Sequence, residues 1–220
     1  MHTIIKSGFY IIFIIISCIA GIHMLIKSNG DKKVTIFGLM VLLLGVGESF
    51  HIVPRILEIF SNSSKDYGAM IETGRFIASL SIIFVYYILF WFCNVLCNTS
   101  PTKKRNITLI ILGILSIAVS ILFWNTDDTL FVLLRNVPTI VIGLLVVVHF
   151  NRQTSSILNH PFKYLGLALI LSLLFTIGFE LLGQDYPFFI ILMMPKTLMY
   201  IWIILMGYIA YRKERLSENE

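Results

Sequence analysis

The sequence predicts an all-α integral membrane protein, a seven-transmembrane helix bundle that forms a single domain over residues 1–220. Two observations predict this fold class. The chain is 57% hydrophobic and only 13% charged, whereas soluble domains are about half apolar and about a quarter charged. The apolar residues also fall in runs of about twenty, the length at which a helix crosses the hydrocarbon core of a bilayer. This composition excludes a water-soluble globule.

Seven apolar runs reach this length with few charges. Their approximate bounds are 8–26, 34–60, 73–98, 107–124, 129–150, 162–183 and 188–211. The first run follows Lys6 and contains no small-residue cleavage site, so we expect it to be retained as a helix rather than removed as a signal peptide. The segments between the runs are short and rich in turn-forming or charged residues, and 212–220 is a short charged tail.

Basic residues are divided unequally between the two sides of the predicted bundle. One side carries Lys27, Lys32, Lys33, Lys103, Lys104, Arg105, Arg152, Lys163, Arg212, Lys213 and Arg215, and the other side carries Lys6 and Lys65. Short cytoplasmic loops hold the excess of Lys and Arg, so we expect the N-terminus outside and the C-terminus in the cytoplasm. The sequence thus predicts a multi-pass protein of the plasma (cytoplasmic) membrane, whose net charge of +5 reflects topology and anionic lipid rather than nucleic acid.

Ionisable residues inside the predicted spans are concentrated in the outer half of the bundle. A charge at the bilayer centre costs at least about 2.5 kcal/mol, so such residues are kept mainly where they face partners, water or a ligand. The inner half is comparatively poor in charge, with His23, Asn94 and His149 near the helix ends. This asymmetry predicts an outward-facing pocket for a small anionic or zwitterionic ligand. The predicted ligand-binding residues are Glu48, His51, Arg55, Arg75, Arg135, Asn136, Glu180 and Lys196.

The segment 47–55, GESFHIVPR, is the densest chemical stretch of the chain. Helical spacing places Glu48, His51 and Arg55 on one face. Pro54 lacks a backbone donor and crowds the carbonyl of Phe50, which predicts a kink there. The stretch resembles a G-[DE]-x-F-H-x-x-P-R element of small, uncharacterised seven-helix bacterial membrane proteins. The resemblance covers about nine residues and implies no activity.

Two further prolines lie beside charges inside the predicted helices. Pro138 follows Arg135 in helix 5, and Pro195 precedes Lys196 in helix 7. Broken helices often line the polar cavities of transporters, so these positions favour a cavity over a solid core.

Three classes of function stay open from the sequence. The first is a transporter-like or sensor-like protein with the pocket described above. The second is an intramembrane lipid hydrolase in which Glu48, His51 and Glu180 act as acid–base residues, with Ser49 about 100° away from Glu48 and outside any local triad. The third is an accessory subunit with structural ion pairs and a protein partner that the sequence does not identify. A non-enzymatic role is favoured.

No cofactor or metal site is predicted. The five histidines divide between opposite ends of the bundle, which disfavours a zinc site. A glycine-rich phosphate-binding loop is also missing from the sequence.

Overall fold

The computed structural model describes residues 2–61, 67–123, 129–153, 160–182 and 192–217, with side chains described within 7–61, 67–123, 134–153, 160–179 and 192–213. Over these residues the chain is all-α. The helices are α1 (His2–Ile26), α2 (Lys32–Phe60), α3 (Gly68–Leu96), α4 (Lys103–Leu122), α5 (Thr129–Gln153), α6 (Leu165–Leu182) and α7 (Met193–Ser217). Among the described residues, seven helices are long and apolar enough to cross a membrane, which confirms the predicted number of helices and the all-α class. Insertion into a membrane and the orientation of the termini stay predictions.

Helix ends differ from the predicted bounds by several residues at most. The longest helices are α2 and α3, with 29 residues each. Asp31 begins α2 as its N-cap, because its side chain accepts a hydrogen bond from the Lys33 amide at 2.7 Å. A 3₁₀ turn, Pro161–Tyr164, precedes α6. The segment 183–191, which includes the predicted start of helix 7, lies outside the described residues.

Three of the six prolines, Pro54, Pro138 and Pro195, lie within helices. Pro54 and Pro138 lie inside uninterrupted α2 and α5. Pro195 lies in the first turn of α7, where a missing amide donor breaks no hydrogen bond within the helix. The structure therefore gives Pro195 the role of a helix-start residue.

The helices form a closed ring. Each of α1, α2 and α3 packs on its neighbour in the chain, α3 then packs on α5, and α5, α6 and α7 follow in order. The ring closes where α7 packs on α1 and on α2. Helix α4 leans mainly on α5 from outside. Two names are used for the ends of the bundle. The N-terminal end is the one at which α1 and α7 begin. The C-terminal end is the opposite one, at which α2 begins and α7 ends.

Glycine allows α2 and α3 to approach closely near the N-terminal end. A methyl group added at Gly74 of α3 would collide with the Phe50 carbonyl oxygen and the His51 Cα of α2. A methyl group at Gly47 of α2 would collide with Ser81 of α3. Small residues let membrane helices pack backbone against backbone, and here they fix α3 against the face of α2 that carries His51.

Apolar side chains cover the outer surface of the bundle. Ile12 and Ile19 of α1 and Ile114 and Leu122 of α4 are more than half exposed. Water-facing helices place polar residues on such a surface, whereas lipid favours apolar ones. The outward faces of α1 and α4 therefore suit contact with hydrocarbon.

Candidate functional site

Glu48, His51 and Lys196 lie together inside the N-terminal half of the bundle, and we call them the Glu48 cluster. The Lys196 Nζ atom lies 3.9 Å from Glu48 Oε1, and His51 Nδ1 lies 3.4 Å from Glu48 Oε2. The side chains of Glu48 and His51 are each 10% exposed and that of Lys196 is 20% exposed. The structure thus unites three of the predicted site residues from two helices.

Helical spacing and helix direction explain how the cluster forms. Glu48 and His51 are one turn apart on the inward face of α2. Helix α7 runs antiparallel to α2, and its first turns reach the level of Glu48, so Lys196 meets the carboxylate from the other side. Its Nζ atom also lies 5.6 Å from the ring of Tyr200, one turn further along α7.

The contacts inside the Glu48 cluster are incomplete. The distance of 3.9 Å between Lys196 and Glu48 is longer than a hydrogen bond. His51 Nδ1 is buried and, among the described residues, has no hydrogen-bond partner, because its approach to Glu48 has the distance of an ion pair without the geometry of a hydrogen bond. Buried polar atoms are nearly always paired, so the cluster has spare capacity to hold a further polar group.

Three tyrosines lie within electrostatic range of the Glu48 cluster, and the sequence reasoning missed them. The charges of Glu48 and Lys196 act on the Tyr10 hydroxyl of α1, Lys196 acts on Tyr86 of α3, and Glu48 acts on Tyr200 of α7. The spacing of Lys196 and Tyr200 was a usable signal, because residues four apart share a helix face. Tyr10 and Tyr86 lie on α1 and α3, and the sequence does not show which other helices these two pack against.

Two arginines lie in a groove between α2 and α3 at the N-terminal end. The groove, which we call the arginine groove, is lined by Arg55, Glu58, Ile59, Gly68, Ile71, Glu72 and Arg75. Arg75 is paired with Glu72, with 2.5 Å between Nη1 and Oε1. Arg55 and Arg75 both act electrostatically on His51, so the charges of the arginine groove influence the Glu48 cluster.

The remaining predicted site residues are not brought to the Glu48 cluster by the described contacts. Arg135 and Asn136 lie on α5, which packs on α3, α4 and α6 rather than on α2 or α7 over the described residues. Glu180 lies in α6, but its side chain is outside the described side chains. The ligand-binding roles of these three residues stay predictions.

Ser49 faces away from the Glu48 cluster, as its helical angle predicts. Its hydroxyl donates to the Val46 carbonyl oxygen at 2.6 Å. The residue lines a mostly apolar groove on the outer surface of α2 and α3, together with Phe50 and Val53. Ser49 is therefore not a nucleophile available to Glu48 and His51.

A second polar cluster, the His149 network, lies at the C-terminal end and joins Asn94, Arg105 and His149. Arg105 Nη1 lies 3.1 Å from His149 Nδ1, and His149 Nε2 lies 3.0 Å from Asn94 Oδ1. Arginine only donates, so Nδ1 accepts and Nε2 carries the proton that is donated to Asn94. The Asn94 amide nitrogen donates in turn to the Phe90 carbonyl oxygen at 2.7 Å. Each of these polar groups has a protein partner.

His160, which precedes the 3₁₀ turn, is a second histidine with a hydrogen-bond partner. Its Nδ1 accepts a hydrogen bond from the Phe162 amide at 3.4 Å, and its ring stacks on the Phe162 ring with 5.1 Å between centroids. Burial, and then the charges of Lys33 and Lys213, lower the pKa of His160 from its usual value. The neutral ring is thereby favoured.

Comparison with known proteins gives no assignment. No protein-family model, curated protein or solved structure matches the chain. Among the described residues, no group of three His, Cys, Asp or Glu side chains is placed to hold a metal ion. The function is therefore argued from the Glu48 cluster itself.

Proposed function

We propose that the protein is a multi-pass plasma-membrane protein that binds a small anionic or zwitterionic solute at the Glu48 cluster, from the outside, as a transporter or a sensor does. The observation that carries this proposal is the buried His51 Nδ1, which has no hydrogen-bond partner among the described residues, beside a Glu48–Lys196 pair that is not hydrogen-bonded. The positive-inside rule assigns the N-terminal end of the bundle to the outside.

The depth of the cluster supports a functional role. Glu48 lies about 22 Å along α2 from Lys33, at 1.5 Å per residue, and so falls inside a hydrocarbon core about 30 Å thick. Ionisable residues at such depth mark binding sites or ion paths more often than packing. Purely structural polar groups are expected to satisfy one another, as those of the His149 network do near the helix ends.

The charges around the cluster support an anionic group on the solute. Lys196 supplies an ammonium beside the unpartnered His51, and Arg55 and Arg75 extend the positive field towards the N-terminal end. The arginine groove is open between α2 and α3 at the N-terminal end, beyond the close packing of the two helices at Gly74. Glu48 is left to receive either an ammonium group of the solute or a proton.

The other two functions that the sequence leaves open have weaker support. A lipid hydrolase that uses Glu48, His51 and Glu180 stays a prediction, because the Glu180 side chain lies outside the described side chains, and the outward position of Ser49 disfavours only a serine nucleophile. An accessory subunit held by structural ion pairs predicts satisfied contacts in the Glu48 cluster, whereas His51 Nδ1 has no hydrogen-bond partner among the described residues.

The proposal is tested by thermal unfolding of the protein in lipid nanodiscs in the presence of small anions. The probes are three pairs that differ by an amino group, namely acetate and glycine, lactate and alanine, and succinate and aspartate. Inorganic phosphate is a seventh probe. A probe bound at a hundred times its Kd stabilises the folded state by about 2.7 kcal/mol. We expect at least one probe to raise the Tm of the wild type, and Lys196→Met to abolish that rise.

Lys104→Met is the matched control, because Lys104 is an exposed lysine at the opposite end of the bundle. It should keep the full ligand-induced rise. Absence of any rise in the wild type, or a full rise in a folded Lys196→Met protein, would contradict the proposal. Uptake of the active probe into proteoliposomes then separates transport from sensing.

A further inference from the structure

The Glu48 carboxylate has two different neighbours, one on each oxygen. Oε1 faces the ammonium of Lys196 at 3.9 Å, and Oε2 faces the imidazole of His51 at 3.4 Å. Lys196 is the nearest cation to Glu48 among the described ion pairs. An anion that binds Lys196 therefore competes with Glu48 for the same positive charge.

A bound anion would leave two negative charges sharing one lysine in a buried site. Low-polarity surroundings penalise an unbalanced charge strongly, and a buried carboxylate then takes up a proton. A proton on Glu48 Oε2 would be donated to His51 Nδ1 once the carboxyl group moves from its present 3.4 Å separation into hydrogen-bond geometry, and Nδ1 has no other hydrogen-bond partner among the described residues. One proton thus removes the charge imbalance and completes the contacts of His51.

We propose that the Glu48 cluster binds its anion together with one proton, held between Glu48 Oε2 and His51 Nδ1. This inference rests on the proposed function and names its ligand class: an anion taken up with a proton. Before binding, the carboxylate of Glu48 faces the ammonium of Lys196. After binding, the anion faces the ammonium and Glu48 is a neutral carboxyl group. The anion brings one negative charge and the proton brings one positive charge, so the net charge of the Glu48 cluster does not change.

The groups around His51 favour the proton on the carboxyl side. Those that act on His51 or on its neighbours are Tyr10 from α1, Glu48 and Arg55 from α2, Arg75 and Tyr86 from α3, and Lys196 and Tyr200 from α7. A positively charged His51 would lie in the field of Arg55 and Lys196, and of Arg75, whose charge is partly balanced by Glu72. A neutral pair, carboxyl donor and imidazole acceptor, avoids that repulsion.

The first test needs no ligand. Infrared difference spectroscopy of the protein in nanodiscs at pH 7 reports the C=O stretch of a protonated carboxyl group. Lys196→Met removes the cation in the way that a competing anion would, so we expect a new carboxyl band. The band should be absent from the wild type, from Lys104→Met and from the double variant Glu48→Gln/Lys196→Met.

The same spectrum reports the role of His51. In Lys196→Met/His51→Leu the carboxyl group loses its acceptor, and its band should move to higher wavenumber. A Lys196→Met protein without the band would overturn the inference, and so would a band that does not respond to His51→Leu.

The second test uses the anion with the largest thermal shift in the probe set. If one proton enters with each anion, Kd rises by up to tenfold per pH unit as the pH increases. Glu48→Gln, which mimics the protonated group, should bind the anion with a Kd that no longer varies with pH. Lys104→Met should keep the wild-type pH profile.

The probe pairs separate this inference from the proposed function. If the wild type binds the amino-bearing member of a pair better and Glu48→Gln abolishes that binding, Glu48 pairs with an ammonium group and proton uptake is contradicted while the solute site stands. If no probe binds the wild type, the proposed function fails, and the inference that rests on it fails with it.

Discussion

His149 and His51 are buried histidines at opposite ends of the bundle, and their hydrogen bonds differ. His23 Nδ1, at the C-terminal end, also lacks a hydrogen-bond partner among the described residues. At the C-terminal end both ring nitrogens of His149 are hydrogen-bonded, one to Arg105 and one to Asn94. At the N-terminal end His51 is equally buried but leaves Nδ1 without a hydrogen bond among the described residues. The first arrangement is complete without any ligand, and the second is not. The comparison shows that burial alone does not distinguish a structural polar residue from a candidate ligand-binding one.

The ends are also held together by different forces. The His149 network is held by hydrogen bonds, each contributing a net of about 1 kcal/mol to stability. Near the Glu48 cluster, by contrast, α2 and α3 are held by backbone packing across Gly47 and Gly74. Variants that remove one force at a time therefore test the comparison.

The largest effect is expected at Gly74. Gly74→Ala places a methyl group against the Phe50 carbonyl oxygen and the His51 Cα, both of which are backbone atoms that cannot rotate away. Overpacking of this kind costs up to about 3 kcal/mol. Gly8→Ala is the control, since no atom lies within 4 Å of a methyl group added there. Equal thermal stability of the two variants would show that α2 and α3 are not in close contact at His51.

A smaller effect is expected when each histidine is replaced by leucine. His149→Leu removes two hydrogen bonds and leaves the Asn94 oxygen and the Arg105 guanidinium with fewer partners, at a cost of about 2 kcal/mol. His51→Leu deletes no hydrogen bond that the described residues make, so we expect a loss below about 1 kcal/mol. Chemical unfolding in detergent compares them. A greater loss of stability for His51→Leu would reverse our interpretation of the two ends.

The Glu48–Lys196 contact should give a weaker signal still. A double-mutant cycle of Glu48→Gln and Lys196→Met, measured at pH 8, is expected to show a coupling free energy of about 1 kcal/mol, in the range of polar pairs between membrane helices. The cycle of Glu48→Gln with Lys104→Met is the reference and should show none. Zero coupling in both cycles would mean that Glu48 and Lys196 do not interact in the folded protein.

The smallest expected effect is the contribution of His160 to the pH dependence of the free energy of unfolding. Because its pKa is lowered in the folded protein, the unfolded chain binds a proton first as the pH falls below about 6.5, and stability declines. Above that pH the contribution is fully present. His160→Asn keeps an acceptor for the Phe162 amide but does not titrate, so its unfolding free energy should fall less between pH 7.5 and pH 5.5. An unchanged pH dependence would assign the effect to another group.

Sequence reasoning found the helices and part of the site for a clear physical reason. Crossing a bilayer imposes a length and an apolar composition on every helix, and these are visible in one sequence. Glu48 and His51 were also visible as neighbours, since helical spacing alone places them on one face. Lys196 was predicted for the pocket because it is a charge in an apolar run.

The lateral order of the helices was not visible from the sequence. Helix α3 packs on α5, and α7 packs on both α1 and α2, because of side-chain fit rather than chain order. This order brings Tyr10 and Tyr86 towards the Glu48 cluster and keeps α5, with Arg135, on the other side of α3. A composition-based argument groups all charges of one leaflet together, whereas packing separates them.

The length of the α2–α3 hairpin has a consequence for where a solute first meets the protein. Each helix has 29 residues and is about 43 Å long, and a tilt of 40° still leaves about 33 Å along the membrane normal. A hydrocarbon core of about 30 Å does not cover that length. At the average tilt of about 20°, Arg55 lies about 32 Å from Lys32 along the membrane normal, so with Lys32 and Lys33 at one interface Arg55 reaches the opposite edge of the hydrocarbon core. In a bilayer the end of the hairpin would lie among the lipid headgroups, and a thicker membrane would bury it in hydrocarbon.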